Sequence, residues 1–171
     1  MPDEDLELRP AQLGDVEILG ELTAQAYISG GHLSPDSPYV EVLRDVHPRI
    51  DQTLVIADAH TDRVVAAITA LPHGHVMAEA TEPAEWEFRY LAVDPDFWGR
   101  GLGQRLIAAV EERARMAGAP RLVLRVIHTN PRAQGLYEHL GYRHVPARDF
   151  TFPSRLDPTV TFTLLLYAKD L

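Results

Sequence analysis

The pattern of apolar and polar residues predicts that the chain begins with a strand, a helix and a loop. Leu6-Glu-Leu-Arg9 alternates and predicts a short first strand. Asp15 is expected to cap a helix over residues 16–27, in which Val16, Leu19, Leu22 and Ala26 form the apolar stripe. Gly, Ser and Pro enrich residues 29–38, which predicts a loop, and a short helix is expected over residues 39–45.

Two β-rich runs follow, and then a longer strand. Residues 53–58 and 64–71 are separated by the polar turn 59–62, which predicts a hairpin. Residues 72–83 are longer than a hairpin needs and predict a loop. Residues 86–93 predict a strong strand, with aromatic residues at 86, 88 and 90 on one face and Glu87, Arg89 and Leu91 on the other.

The second half of the chain alternates between helices and strands. A helical stripe begins near Leu102 and ends before Gly118, and residues 121–127 predict a fifth strand. Asn130-Pro131 predicts a helix start, with Asn as the cap, and that helix ends at Gly141. Strands over residues 142–145 and 160–169 close the chain. This order predicts a mixed α/β fold with a β–α–β–α–β core over residues 86–145.

Composition narrows the class of protein. A length of 171 residues suits a single domain over residues 1–171, and 46% apolar with 24% charged residues is typical of a soluble globular protein. The chain has no cysteine, which excludes disulfides, thiolate metal sites and a thiol nucleophile and fits a cytoplasmic protein. The acidic start lacks a secretory signal, and the apolar residues 160–168 are too few to span a bilayer.

The formal net charge of −9 bears on the partners. It disfavours nonspecific nucleic-acid binding, which depends on neutralising phosphates, and it mildly favours a cationic substrate. A local basic patch stays open, as does the oligomeric state, a homodimer included.

A turn with three glycines joins the predicted strand over residues 86–93 to the next helix. Gly99, Gly101 and Gly103 allow the backbone to approach a ligand closely and to point several N–H groups one way. The first turn of the helix adds unpaired N–H donors and the positive end of its dipole. Together with Arg100 and Arg105 as mobile positive charges, these features predict an anion site that suits a pyrophosphate.

Other interpretations of this turn are weaker. In one alternative, the three glycines only permit the backbone geometry of a tight turn and bind no ligand. A dinucleotide fold requires G-x-G-x-x-G after its first strand, whereas this chain has G-x-G-x-G after several strands. A P-loop requires Lys and Ser or Thr after its glycines, whereas Gln104 and Arg105 follow here.

The motifs along residues 86–145 resemble those of the GNAT superfamily of CoA-dependent N-acyltransferases. Tyr90-Leu-Ala-Val-Asp-Pro95 looks like the family's fourth strand and its exit, and Gly99-Arg-Gly-Leu-Gly103 looks like its pyrophosphate loop, Q/R-x-x-G-x-G/A. Asn130, Ala133, Leu136, Tyr137 and Gly141-Tyr142 match the run N-x-x-A-x-x-L-Y-x-x-x-G-F/Y. The resemblance implies a mixed, mostly antiparallel central sheet with splayed fourth and fifth strands, flanked by helices.

The resemblance also implies acetyl-CoA as co-substrate, no metal, and a cofactor site built mainly from backbone N–H groups. Trp98 departs from the pattern, because the family usually has Gln or Arg there, and this loses one polar side chain at the mouth of the loop. The implied cofactor-binding residues are Leu91, Ala92, Val93, Trp98, Gly99, Arg100, Gly101, Leu102, Gly103, Gln104, Arg105, Asn130, Ala133 and Tyr137.

The implied reaction is direct transfer to an amine, which needs a base, a group that polarises the thioester carbonyl and an acid for the thiolate. Tyr137 is the expected acid, because the matching family tyrosine lies close to the CoA sulfur; its alternative role is core packing. Glu87 is the expected base; its alternative is an exposed strand carboxylate paired with Arg89 or another neighbour. The Leu91 or Val93 N–H is expected to polarise the carbonyl.

Histidines offer a less favoured alternative. His128 near the end of the fifth strand could face the cleft, although a lone histidine is more often structural. His73-Gly-His75 has too few companions for a metal site.

Three functions follow. An N-acetyltransferase acting on a primary amine of a small molecule or peptide is favoured over a catalytically silent acyl-CoA-binding regulatory module. A toxin-like enzyme acting on charged tRNA is disfavoured by the net charge. In the family the acceptor site is built by segments matching residues 27–39 and 146–158, where motifs constrain the sequence least.

Overall fold

A computed structural model describes residues 5–31, 33–154 and 158–171. The chain divides into two compact units. The first contains the described residues up to Leu71 together with 88–113, and the second contains 72–87 together with the described residues of 114–171. The single-domain organisation expected from length stays a prediction.

Strands and helices alternate in the described part of the chain much as the sequence pattern predicts. The strands are β1 (Leu6–Pro10), β2 (Thr53–Asp58), β3 (Val64–Pro72), β4 (Trp86–Val93), β5 (Arg121–Ile127), β6 (Arg143–His144), β7 (Phe150–Pro153) and β8 (Thr161–Asp170). The α-helices are α1 (Val16–Ser29), α2 (Tyr39–Arg44), α3 (Leu102–Met116) and α4 (Pro131–His139). Among these described residues, no helix is long and apolar enough to cross a membrane.

The strands form a mixed sheet in the order β1-β2-β3-β4-β5-β8-β6, and β7 also pairs with β8. The β1–β2, β2–β3, β5–β8, β6–β8 and β7–β8 pairs are antiparallel, whereas β4 and β5 are parallel. The parallel register covers only Trp86 and Glu87 of the eight residues of β4. The expected mixed, mostly antiparallel sheet is therefore confirmed.

The core of the first unit forms where α1 meets the hairpin of β2 and β3. Leu19 and Leu22 of the predicted helical stripe are buried, and Val16 and Ala26 pack at its margin. These side chains join a cluster from β2, β3, β4 and the residue before a 3-10 helix over His47–Gln52, namely Val46, Val55, Ala57, Val64, Ala67 and Ala92.

The prediction that the Asp15 side chain caps α1 is wrong. Asp15 occupies the N-cap position, but its side chain accepts no hydrogen bond from α1. It accepts from the Gln12 N–H at 2.7 Å and from the Arg9 guanidinium at 2.8 and 3.0 Å. A charge-assisted, bidentate ion pair outweighs a cap bond, so the carboxylate turns to Arg9.

In the second unit, β5 and β8 pair over seven residues and bury Val123, Leu166 and Ala168 against Ala80. The sequence pattern missed β7, which is short, ends in proline and lies outside the main strand order. The predicted strand over residues 142–145 is only two residues long, because the chain enters a 3-10 helix at Pro146.

Candidate active site

The glycine turn has the backbone conformation that only glycine adopts without strain. Gly99 and Gly101 have φ angles of +79° and +77°, in the left-handed region. A Cβ built on either residue would meet nothing within 4 Å. The turn is therefore left-handed at both positions and presents an open backbone surface.

The N-terminus of α3 follows this turn directly. The helix begins at Leu102, runs for 15 residues and has no acidic residue in its first turn. Its first N–H groups lack intrahelical acceptors and carry the positive end of the helix dipole, which no carboxylate of that turn offsets. Backbone and helix together form a site for an anion.

Arginine contributes less to this site than expected. The Arg105 guanidinium donates to the Leu6 carbonyl at 2.9 Å, so it is tied to β1 rather than mobile. The Arg100 guanidinium lies 5.0 Å from the centre of the Phe97 ring. The prediction that Arg105 supplies a mobile positive charge beside the turn is therefore wrong.

Trp98, which departs from the family pattern, folds back on the strand that precedes it. Its indole Nε1 donates to the Val93 carbonyl at 2.8 Å, and 38% of the residue stays exposed. A 3-10 helix over Pro95–Phe97 connects the two residues, and the Asp94 side chain accepts from the Asp96 N–H at its start. The tryptophan thus fixes the exit of β4.

Three predicted cofactor-binding residues, Leu91, Ala92 and Val93, lie at the end of β4. They follow a left-handed residue that the sequence pattern does not predict. Ala92 is buried in the core, whereas Leu91 and Val93 are half-buried. Tyr90, just before them, has a φ of +55° although it is buried inside a strand. A left-handed aromatic residue interrupts the regular alternation of side chains, so the faces predicted for β4 do not continue past Tyr90.

Glu87 lies in the second unit and is buried, with 1% of its surface exposed. Its Oε2 accepts hydrogen bonds from the Glu79 N–H at 2.8 Å and the Ala80 N–H at 3.0 Å. The alternative of an exposed carboxylate is therefore wrong. These two N–H donors offset part of the cost of burying a carboxylate and hold it in one orientation.

Asn130 caps α4 as predicted. Its Oδ1 accepts from the Ala133 N–H at 3.0 Å, and Pro131 takes the first helical position. Ala133 is half-buried on the same helix. The cap fixes where α4 begins and therefore the position of each later residue along the helix axis.

Tyr137 is buried two turns along α4, among other aromatic rings. Its ring centre lies 6.2 Å from that of Tyr142 and 6.4 Å from that of Tyr167. The Tyr137 phenol is protonated at neutral pH, as an ordinary tyrosine is, and burial raises its pKa further. It can therefore donate a hydrogen bond or a proton, which is what the expected acid must do.

The histidines make local contacts. The Nδ1 of His75 accepts from the Met77 N–H at 3.1 Å, and the Nδ1 of His128 accepts from the Thr163 N–H at 3.0 Å. Within the described ranges, no group of three or more His, Cys, Asp or Glu residues could hold a metal ion.

The predicted site residues fall into two groups. Those of the first unit run continuously around the strand exit and the turn: Leu91, Ala92, Val93, Trp98, Gly99, Arg100, Gly101, Leu102, Gly103, Gln104 and Arg105. The second unit holds Glu87, Asn130, Ala133 and Tyr137. Their assignment to catalysis and cofactor binding stays a prediction.

A mixed sheet with the parallel β4–β5 pair and a glycine turn at a helix N-terminus defines an α/β protein whose turn could offer N–H donors to an anion. The sequence profile of the Acetyltransferase (GNAT) family matches residues 19–142. The chain therefore belongs to the GNAT acetyltransferase family.

Solved structures share this fold at low sequence identity. A GCN5-related N-acetyltransferase from Kribbella flavida is 20% identical, with a TM-score of 0.72 and coverage of 99% of this chain and 100% of that one. The PaiA N-acetyltransferase from Thermoplasma acidophilum, solved with coenzyme A, is 16% identical, with a TM-score of 0.70 and coverage of 97% and 99%. The ribosomal-protein-S18-alanine N-acetyltransferase from Escherichia coli is 17% identical, with a TM-score of 0.67 and coverage of 96% and 93%.

Proposed function

We propose that the protein transfers an acetyl group from acetyl-CoA directly to a primary amine of a small molecule or peptide, within a ternary complex. The observation that carries the proposal is the left-handed Gly99–Gly101 turn leading into an α3 N-terminus that has no acidic residue. Family membership and a structural relative solved with coenzyme A support it. A cytoplasmic location and the absence of a nucleic-acid partner are proposed with it, in line with the lack of cysteine and the net charge of −9.

The residues of the turn fit the diphosphate of CoA. A Cβ built on Gly99 or Gly101 would meet nothing within 4 Å, so there is open space beside this backbone for phosphate oxygens. We assign the diphosphate to the backbone of residues 99–104, and the pantetheine arm to Leu91, Val93 and Asn130. When bound, acetyl-CoA supplies the activated thioester.

Two side chains would manage the protons. An alkylamine is mostly protonated at neutral pH and must lose a proton before it attacks. We assign that deprotonation, directly or through water, to Glu87, whose Oε2 is held in place by two N–H donors. The phenol of Tyr137 is protonated at neutral pH, and we assign to it the donation of a proton to the departing thiolate.

The backbone would stabilise the negative charge that develops on the acetyl oxygen. We assign this task to the N–H of Leu91 or Val93, on the segment that follows the left-handed Tyr90. Preorganised N–H donors of this kind lower the barrier because they need not reorient during the reaction.

Thiol release from acetyl-CoA, measured across polyamines, aminoglycosides, amino acids and N-terminal peptides, tests the function. Tyr137→Phe should lower kcat by about 10²- to 10⁴-fold with little change in CoA affinity, if proton transfer limits turnover. Tyr167→Phe is the matched control, because it removes a neighbouring hydroxyl that donates to Glu138. If Tyr137→Phe keeps the full kcat, Tyr137 only packs in the core and water protonates the thiolate.

The base is tested separately. Glu87→Gln should flatten the rise of kcat/KM with pH on the acidic limb, because that limb reports the base of the free enzyme. A wild-type profile in this variant would mean that the base lies elsewhere, or that bulk water deprotonates the amine and the enzyme works mainly by positioning. Thermal stabilisation by CoA without thiol release on any amine would favour the silent acyl-CoA-binding module instead.

A further inference from the structure

Tyr90 is unusual among the residues with positive φ. The other non-glycine examples in the described residues, Asp62 and Ala84, lie in connections between strands. Tyr90 lies inside β4 and is 3% exposed. A bulky side chain disfavours the left-handed conformation, so the surroundings must hold it there.

Arg49 is the residue that packs against the Tyr90 ring. Its Cζ lies 4.1 Å from the ring centre, and only 1% of the residue is exposed. The Arg89 guanidinium is also near the ring, with Cζ at 4.9 Å. Arg49 comes from the 3-10 helix over His47–Gln52, so it connects that helix to β4.

A buried polar network fixes the guanidinium in place. Its Nη2 donates to the Leu43 carbonyl at 2.8 Å, and its Nη1 lies 3.4 Å from Thr69 Oγ1. The Thr69 hydroxyl in turn lies 2.9 Å from that of Thr53, which donates to the Arg49 carbonyl at 2.8 Å. The ring therefore packs against a cation whose position is determined on several sides.

Packing alone does not explain a buried arginine at this position. Among the described residues, no carboxylate pairs with Arg49, and its Nε has no hydrogen-bond partner. Burial lowers the pKa of this guanidinium because the charged form is desolvated. Apolar residues of similar volume often replace buried charges without loss of stability, so an unpaired one calls for another reason.

We infer that Arg49 is a positioning residue for acetyl transfer. By packing on the Tyr90 ring, it holds β4 in its left-handed conformation at that residue and so sets the direction of the Leu91 N–H. The inference rests on the proposed function, in which the N–H of Leu91 or Val93 polarises the acetyl carbonyl.

The test replaces Arg49 with Met, which fills a similar volume but can neither donate nor carry charge. Two readouts are compared with the wild type: the backbone ¹³C chemical shifts of Tyr90, which report its φ, and steady-state kinetics. We expect the shifts to move toward extended values and kcat to fall by about 10- to 100-fold. Calorimetric CoA affinity should stay within about twofold, because the glycine turn is untouched.

Arg113→Met is the matched control. Its guanidinium donates to Gln52 Oε1 at 2.9 Å, so its loss loosens the same 3-10 helix without removing the contact with Tyr90. If Arg49→Met fails to fold, Arg49→Lys takes its place, because Lys keeps the charge but cannot reach two acceptors with a planar group.

The inference is overturned if a folded Arg49 variant keeps the Tyr90 chemical shifts and the kcat of the wild type, even if its melting temperature is lower. Arg49 would then have only a structural role in the core. A wild-type protein that releases no thiol with any amine would overturn the proposed function. The two failures are distinguishable, because the first requires an active wild type.

Discussion

Gly103 offers the sharpest test of where the diphosphate binds. Unlike Gly99 and Gly101, it has no positive φ, and it lies in the first turn of α3. A Cβ built on Gly103 would have only one neighbour within 4 Å, the Leu91 Cδ2 at 3.9 Å, which is ordinary contact. Gly103→Ala should therefore fold without strain, whereas Gly101→Val would strain the turn and confuse the result.

The expected effects on stability and on binding have opposite signs. Replacing Gly by Ala in a helix stabilises it by at most about 1 kcal/mol, which for a chain of this size raises the melting temperature by up to about 4 °C. If phosphate oxygens approach the Gly103 backbone, the added methyl displaces them and weakens at least one charge-assisted hydrogen bond of about 1.5–3 kcal/mol. That loss corresponds to roughly 10- to 100-fold in affinity for CoA.

Calorimetry of CoA binding and a thermal melt of the same samples check both numbers. Gly135→Ala in α4 is the control, because a Cβ there meets nothing within 4 Å. Gly135 is two residues from both Ala133 and Tyr137, about 200° around the helix, so its side chain points away from theirs. A stabilised Gly103→Ala protein that binds CoA as tightly as the wild type would refute the placement of the diphosphate.

Two further predictions concern Asn130 and Asp15. Asn130→Ala should cost about 1 kcal/mol of stability, because the cap bond to Ala133 is lost, and should raise the KM for acetyl-CoA. Asn130→Asp keeps a capping oxygen and is the control. An unchanged KM in Asn130→Ala would mean that Asn130 only caps the helix and does not contact the cofactor. The Arg9 guanidinium beside Asp15 holds the pKa of that carboxyl below its usual range. The ion pair should therefore stabilise the fold above about pH 4 and lose this effect as pH falls further. In Asp15→Asn, the free energy of unfolding from urea melts should fall less as pH decreases below about 4. Asp36→Asn, at an exposed carboxylate, is the control and should keep the wild-type pH dependence. An equal slope in wild type and Asp15→Asn would contradict this assignment.

Local patterns predicted most of the fold because local physics determines it. The boundaries of β4 and β5, the α4 cap at Asn130 and the left-handed Gly118 and Gly141 after the helices follow from alternation, capping and glycine conformation. β7 was missed because pairing with β8, a partner distant in sequence, forms it. Asp15 was misassigned for a similar reason: Arg9, on the preceding strand, competes for its carboxylate.

The candidate site was less predictable from sequence, since its geometry depends on distant contacts. Motif spacing identified the glycine turn, but not the tie between Arg105 and the Leu6 carbonyl, which are 99 residues apart. A buried arginine leaves no sequence signature, so the sequence does not single out Arg49. The left-handed conformation of Tyr90 is not predictable either, because an aromatic residue in an apolar run predicts regular strand.

Glu87 shows how far a catalytic assignment depends on structure. Burying a carboxylate is costly unless its oxygens are hydrogen-bonded, and here the donors are the N–H groups of Glu79 and Ala80. The Ala80 carbonyl accepts from Arg148 Nη2 at 2.6 Å, and Arg148 forms a bidentate pair with Glu85 at 3.0 and 2.8 Å. The loop that holds Glu87 is therefore itself held by the connection between β6 and β7. We propose that this connection also borders the acceptor site, so changes at Pro146–Arg148 should alter both the surroundings of Glu87 and the KM for the amine.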